Sequence, residues 1–221
     1  MRTLALAFLL LPIAAMAEIV DRIALTVGRE IITEQQIVHS LRVTAFLNGE
    51  PVQINAKTKR AAAQKLLELT LIGVEIANSR YPAPAKEQID AALASVKQQL
   101  FSGSQARYEE ALMTYGITEA DVRQSLERQL STLSFIDFRF RPAVQIQEDE
   151  IAEYFREEYS PDYQKKNPGK PAPRYLEVRN ALSELLTQQR VDNLLDRWIS
   201  QTESQSRVQW REKVFEEPKS Q

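Results

Sequence analysis

One histidine, no cysteine and scattered carboxylates make up the conventional chemistry of this 221-residue chain. His39 stands beside Ser40 in a segment of helical pattern. A nucleophilic hydroxyl needs a base and an orienting acid that converge on it. No spacing here assembles such a trio, so His39 reads as a surface or half-buried helical histidine. The lack of cysteine excludes thiol nucleophiles, Fe–S clusters, disulfides and Cys/His zinc sites. Glu148-Asp149-Glu150 could act as acid–base groups or hard-cation ligands. They open a helical pattern, however, and a solvated first turn in the favourable field of the helix dipole accounts for them. There is no D-x-D-x-D-G loop for Ca²⁺. Gly28, Gly49, Gly103 and Gly116 are isolated and form no phosphate cradle. Lys165, Lys166, Lys170 and Arg174 make a small basic patch that could attract phosphate weakly, although a solubilising linker explains it as well. The chain is therefore expected to be no enzyme, with no catalytic residue, no metal and no cofactor.

The aromatic residues are more informative. Phe135, Phe138 and Phe140 end one helical pattern, and Tyr154, Phe155, Tyr159 and Tyr163 lie in or after the next. One stripe cannot bury Phe135, Ile136, Phe138 and Phe140, because they spread around the helix. Packing between the two helices is the ordinary fate of such rings. Rings left open would form an apolar patch of the kind that marks a partner or peptide site.

Composition limits what else the chain can be. Hydrophobic residues are 43% and charged residues 26%, enough for a packed core. The 28 basic and 30 acidic residues leave a net charge of −2, so no global basic field exists to hold nucleic acid. Met1-Arg2, an uncharged apolar run from Thr3 to Ala15 and the small-x-small Ala15-Met16-Ala17 predict a signal peptide at 1–17, cut after Ala17. That run is shorter than the ~20 residues of a membrane span. Export without cysteine suits a bacterial periplasm, and stable membrane insertion is not expected.

The elements that must position these residues follow from pattern and punctuation. Ile23, Leu25 and Val27 alternate, Gly28-Arg29 can turn, and Ile31-Ile32 resumes, which predicts a hairpin. Thr33 and Gln36 form a capping box for a helix that stops at Asn48-Gly49. A second helix spans about 57–80, with Ala62, Leu66, Leu69, Ile72, Gly73 and Ile76 at steps of three and four. Ile89, Leu93, Val96 and Leu100 mark a third, broken at Ser102-Gly103-Ser104, and a short one ends at Gly116. Thr118 with Asp121, and Ile117 with Val122, give a capping box and a hydrophobic staple. The helix they start carries Val122, Leu126, Leu130, Leu133 and Ile136, and it breaks at Arg141-Pro142. Another helix follows Glu148. Residues 160–173, with four prolines, read as a semi-rigid linker outside the core. A helix over about 174–201 should bury Val178, Leu182, Leu185, Val191, Leu195 and Trp198, before a strand at 208–210 and a polar tail at 211–221. The fold expected is mostly α, about six helices, with a β-ribbon joining the chain ends at 23–27 and 208–210.

The opening Ile19-Val20-Asp21-Arg22-Ile23-Ala24-Leu25-Thr26-Val27 through Ile31-Ile32-Thr33 resembles the N-terminal segment of SurA-like periplasmic chaperones. So do the helix at Lys65–Ile72, the segment from Tyr115-Gly116-Ile117-Thr118 to Arg123 and Leu126, Glu150-Ile151-Ala152-Glu153-Tyr154-Phe155, and the stretch from Glu177 through Trp198 to Val208. The resemblance covers nearly all of 19–210. It implies a SurA N-terminal-domain-like helical bundle whose first part is 18–159 and whose returning helix and strand are 174–210. In relatives a parvulin-type prolyl isomerase domain usually fills the gap; here only 160–173 do, too few for a domain. The parvulin pattern also needs histidines that are missing. The implied function is a periplasmic holdase for unfolded outer-membrane or secreted precursors, as monomer or homodimer. The alternative is an assembly subunit that binds one folded partner or itself; a prolyl isomerase ranks third. On the holdase reading, at least two of Phe135, Phe138, Phe140, Tyr154 and Phe155 line the client surface, with Leu100 and Phe101 as lesser candidates.

Overall fold

The alternation of Ile23, Leu25 and Val27 builds strand β1 (Ile23–Val27), and Glu30–Thr33 builds β2 antiparallel to it. Gly28 supplies the φ of 61° that the two-residue turn needs at its first position. The third strand comes from the far end of the chain. β3 (Val208–Trp210) pairs with β1, Leu25 opposite Trp210 and Val27 opposite Val208, giving the order β2-β1-β3. The computed structural model describes residues 21–79 and 81–216. The expected signal peptide lies outside them, as do residues 217–221.

The rest is helical: α1 (Glu34–Asn48), α2 (Ala56–Asn78), α3 (Lys86–Phe101), α4 (Gln105–Tyr115), α5 (Glu119–Arg139), α6 (Glu148–Tyr154), α7 (Ser160–Lys166) and α8 (Tyr175–Gln205). The protein is thus mostly α with a small antiparallel sheet. Local chemistry sets most boundaries. Thr33 caps α1 reciprocally with Gln36, and Gly49 ends it in the left-handed region. Thr118 caps α5, and Asp121 Oδ2 accepts from the Thr118 backbone N–H and hydroxyl, both at 2.7 Å. The staple residues Ile117 and Val122 are both buried.

Three apolar clusters hold the elements together. The first joins the sheet to α1 and α2 through Leu25, Ile32, Ile37 and Leu67. The second joins α1, α3, α4 and α5 through Phe46, Leu93, Tyr108, Val122 and Leu126. The third joins α2, α5 and α8 through Ile72, Phe135, Phe140 and Val191. Tyr108 is fully buried, and burial together with the Glu119 carboxylate pushes its phenol up to about 12.

Four expectations are corrected. First, residues 160–173 are not all linker. The chain passes from α6 through a π-turn (Phe155–Tyr159) into α7, and only 167–174 leave the helix. Pro161 brings no backbone donor, and it stands directly after the π-turn at Phe155–Tyr159, where the regular hydrogen-bond ladder is already interrupted. Second, the tail is not wholly polar surface. A 3₁₀ turn (Glu212–Val214) puts Val214 and Phe215 into the first cluster, and Lys59 Nζ donates to the Val214 carbonyl at 2.8 Å. Third, Leu185 is 41% exposed although it lies between the buried Leu182 and Val191, because it shares the helical direction of neither. Fourth, α5 has two buried faces instead of one stripe. Leu126 and Phe135 are nine residues apart, half a turn out of phase at 3.6 residues per turn. Val122 and Leu126 meet the second cluster while Phe135 meets the third. Leu133 continues the first face past its cover and is 59% exposed.

Acid should loosen this structure. Three partly buried carboxyls are held below their ordinary values. Burial raises Glu34, but Lys59 and Arg22 outweigh it. The hydrogen bond from Lys97 dominates at Glu119. At Asp121 burial again opposes, and the Thr118 hydroxyl, the Thr118 backbone N–H and His39, whose Nε2 is 3.1 Å away, prevail. A lowered folded pKa means that the unfolded chain binds more protons in acid. These groups therefore stabilise the fold above their unfolded pKa, and that stabilisation is lost as pH falls through the folded values. The expected result is a thermal midpoint that drops steadily below about pH 4, less so in Asp121→Asn. A midpoint unchanged between pH 6 and pH 3 would refute it.

Candidate functional site

The aromatic candidates divide between core and surface. Phe135 is fully buried, edge-on to Tyr81 at 5.2 Å and Phe140 at 5.7 Å and tilted against Trp198 at 5.3 Å. Phe140 is also buried. Both are withdrawn as surface candidates: they fasten α5 to α2 and α8 at the Arg141-Pro142 corner. Phe138, one turn beyond Phe135, is 61% exposed. Phe101 is half-buried and stacks on Phe46 at 5.5 Å, so it serves the second cluster, while Leu100 beside it is 37% exposed.

Tyr154 and Phe155 are half-buried on a two-helix arm made by α6, α7 and the first half of α8. Phe155 stacks on Tyr159 at 5.9 Å and meets Tyr175 edge-on at 5.4 Å; Tyr159 leans on Tyr163 at 6.1 Å. The result is a ladder of four rings, none fully covered. Leu176, next to Tyr175, is 84% exposed. The arm is tied by charge. Arg179 Nε is 3.0 Å from Glu148 Oε2, Arg190 Nη2 is 2.6 Å from Glu150 Oε2, and the Tyr175 hydroxyl donates to Glu148 at 2.6 Å. Glu148 and Glu150 are thus more than a solvated first turn: they clamp α6 to α8, and hydrogen bonds from Arg179 and Arg190 hold both carboxyls below the usual range. Arg141 reaches Glu184 and places the end of α5 against the middle of α8, with Phe138 and Leu185 as sequence neighbours of that contact.

A second concave feature escaped the sequence reading. Between α2 and α5 runs an open groove of about 250 Å³, floored by Leu69, Ile72, Gly73 and Ile76 and walled by Gln124, Glu127, Arg128, Ser131 and Thr132. A Cβ built on Gly73 would meet nothing within 4 Å. Glycine inside a helix costs roughly 0.5–1 kcal/mol relative to alanine, so this position forgoes helix stability while leaving space empty. Its sequence signal was a single glycine within a 23-residue helical pattern. A wider concavity of about 790 Å³ at the start of α1 is lined mainly by polar residues, and its Arg22, Glu34 and His39 are already paired.

Tyr175, Leu176 and Leu185 were also missed as surface groups. Helical periodicity places Leu185 on the apolar stripe of α8 and leaves Tyr175 and Leu176 outside it, but it does not say which of them is covered. No group of three or more His, Asp or Glu side chains is placed to hold a metal among the described residues. No helix among them is long and apolar enough to cross a membrane. What this arrangement offers is apolar contact: an aromatic ladder, an exposed phenylalanine and an open groove. Compared with known proteins, the chain matches no family model, and no curated protein matches it significantly.

Proposed function

We propose that the protein is an exported, SurA-like holdase that keeps unfolded outer-membrane or secreted precursors from aggregating, without isomerase activity and without a cofactor. The observation that carries this reading is the half-open ladder of Phe155, Tyr159, Tyr163 and Tyr175, together with the exposed Leu176 and Leu185 on α8 and Phe138 on α5. Aromatic rings offer large apolar area with few rotatable bonds, so they bind extended chains without reading much sequence. Burial of a client on them is worth ~25 cal/mol per Å² of apolar area, non-directional and reversible. The order of motifs across 19–210 supports the same assignment, with the periplasm as its place of action.

The test is suppression of aggregation of an unfolded outer-membrane protein by residues 18–221, run beside analytical sedimentation. Substoichiometric or equimolar protein should keep the client in solution, and His39→Ala should do so equally. An X-Pro peptide should isomerise at its uncatalysed rate. Failure to hold any client, together with sedimentation as a tight dimer or a complex with one folded protein, would favour the assembly-subunit reading instead.

A further inference from the structure

We propose that the α2–α5 groove is a socket for one aromatic or branched side chain of an extended polypeptide, kept open by Gly73. The inference rests on the reading that the protein holds unfolded chains, and it names the part of the surface that grips a side chain. Its size selects the occupant. A sealed cavity of about 150 Å³ takes a benzene ring, and small-molecule sites run from about 300 Å³ upward. The groove, at about 250 Å³, therefore takes one large side chain and excludes a partner's helix or an organic cofactor.

Its rim selects the rest of the ligand. The α5 wall carries one carboxylate, Glu127, and one guanidinium, Arg128, with the Gln124 amide and two hydroxyls. The charges cancel, and the wall offers both donors and acceptors. That suits a neutral, extended backbone, whose N–H and C=O groups are themselves unpaired, better than an anionic or cationic ligand. The groove also continues the exposed surface already described: Phe138 follows Ser131 by seven residues, two turns along the same line of α5. Gly73 is the floor because any side chain there would occupy the space the ligand needs.

The experiment uses methyl-labelled residues 18–221 and two blocked amino acids, N-acetyl-L-phenylalaninamide and N-acetyl-L-alaninamide. The phenylalanine probe should shift the methyl resonances of Leu69, Ile72 and Ile76. The alanine probe should bind about tenfold or more weakly, having no ring to bury. Gly73→Leu should weaken the phenylalanine probe by about tenfold as well, since its side chain takes the place of the ring. If that variant does not fold, Gly73→Ala and Gly73→Val carry the test, with affinity falling as the side chain grows. Methyls that stay unmoved in the wild type, or that move equally in the substituted proteins, would overturn the socket. Wild-type protein that suppresses aggregation with unmoved methyls would sink the socket alone. Methyls that move in a protein unable to suppress aggregation would sink the holdase reading alone.

Discussion

Phe135→Ala is expected to cost ~3–5 kcal/mol of folding stability, the usual range for removing a fully buried phenylalanine. The ring is inaccessible and touches Tyr81, Phe140 and Trp198, which come from three separate parts of the chain. No neighbour can collapse into the space without giving up another contact, so a cavity should remain. For domains of this size the loss corresponds to a fall in thermal midpoint of roughly 2–4 °C per kcal/mol. Phe138→Ala, three residues on, is the control. Its ring is 61% exposed, so the change should stay within about 0.5 kcal/mol. Its effect should fall on client binding instead, as weaker suppression of aggregation. Urea unfolding of both variants beside the aggregation assay decides the matter. Equal stability losses would show that Phe138 is covered as well, and a larger loss at Phe138 would show that the faces of α5 are assigned the wrong way round.

The second large effect is expected at the end of the chain. Phe215→Ala should cost ~3–5 kcal/mol, although Phe215 lies in a stretch of charged residues. It is buried against the sheet and α2, and its ring tilts against Trp210 at 5.7 Å. The Arg60 guanidinium lies 3.8 Å from the centroid of the Trp210 ring and pairs with Glu212 at 2.8 Å. Glu212→Ala should cost less than about 1 kcal/mol, because both partners of that pair are open to solvent. A chain stopped after Ser206 loses β3, Val214 and Phe215 together and leaves β1 with an unpaired edge. It should unfold well before the full chain in a urea titration. A truncated chain as stable as the original would mean that the terminal closure contributes nothing.

Those two effects separate what was legible in the residues from what was not. Caps and stops act through a side chain and a backbone group three or four positions apart, so their chemistry is complete in a short segment. Thr33 with Gln36, Thr118 with Asp121, Gly49 and Gly116 were readable for that reason, and each stands where its residue type requires. The pairing of 23–27 with 208–210 was readable because a short two-stranded ribbon needs a third strand, and few segments could supply one.

The candidate surface was readable only as a set of residues, because burial depends on what lies opposite. In α2, periodicity gave Ala62, Leu66, Leu69 and Ile72 as the inner edge; of these only Ile72 is buried, beside Ala63, Leu67 and Leu71. A repeat of three and four identifies an apolar stripe, but its rotation toward a neighbour is settled by packing. Phe135 and Phe138 differ by one turn of one helix, yet one is core and the other is surface. Pro161 resembles a break, yet the helix runs through it, directly after the π-turn at Phe155–Tyr159 that interrupts the regular ladder. The sequence by itself determined the mostly helical class, the capped helix starts, the glycine stops and the closing ribbon, all of which follow from local hydrogen bonding and pattern, whereas α7 and the last turn of α8 went unread. Only the tertiary structure decided which rings stay open, that Val214 and Phe215 close the core, and that Gly73 floors a groove, since exposure belongs to the space between elements and not to any one of them.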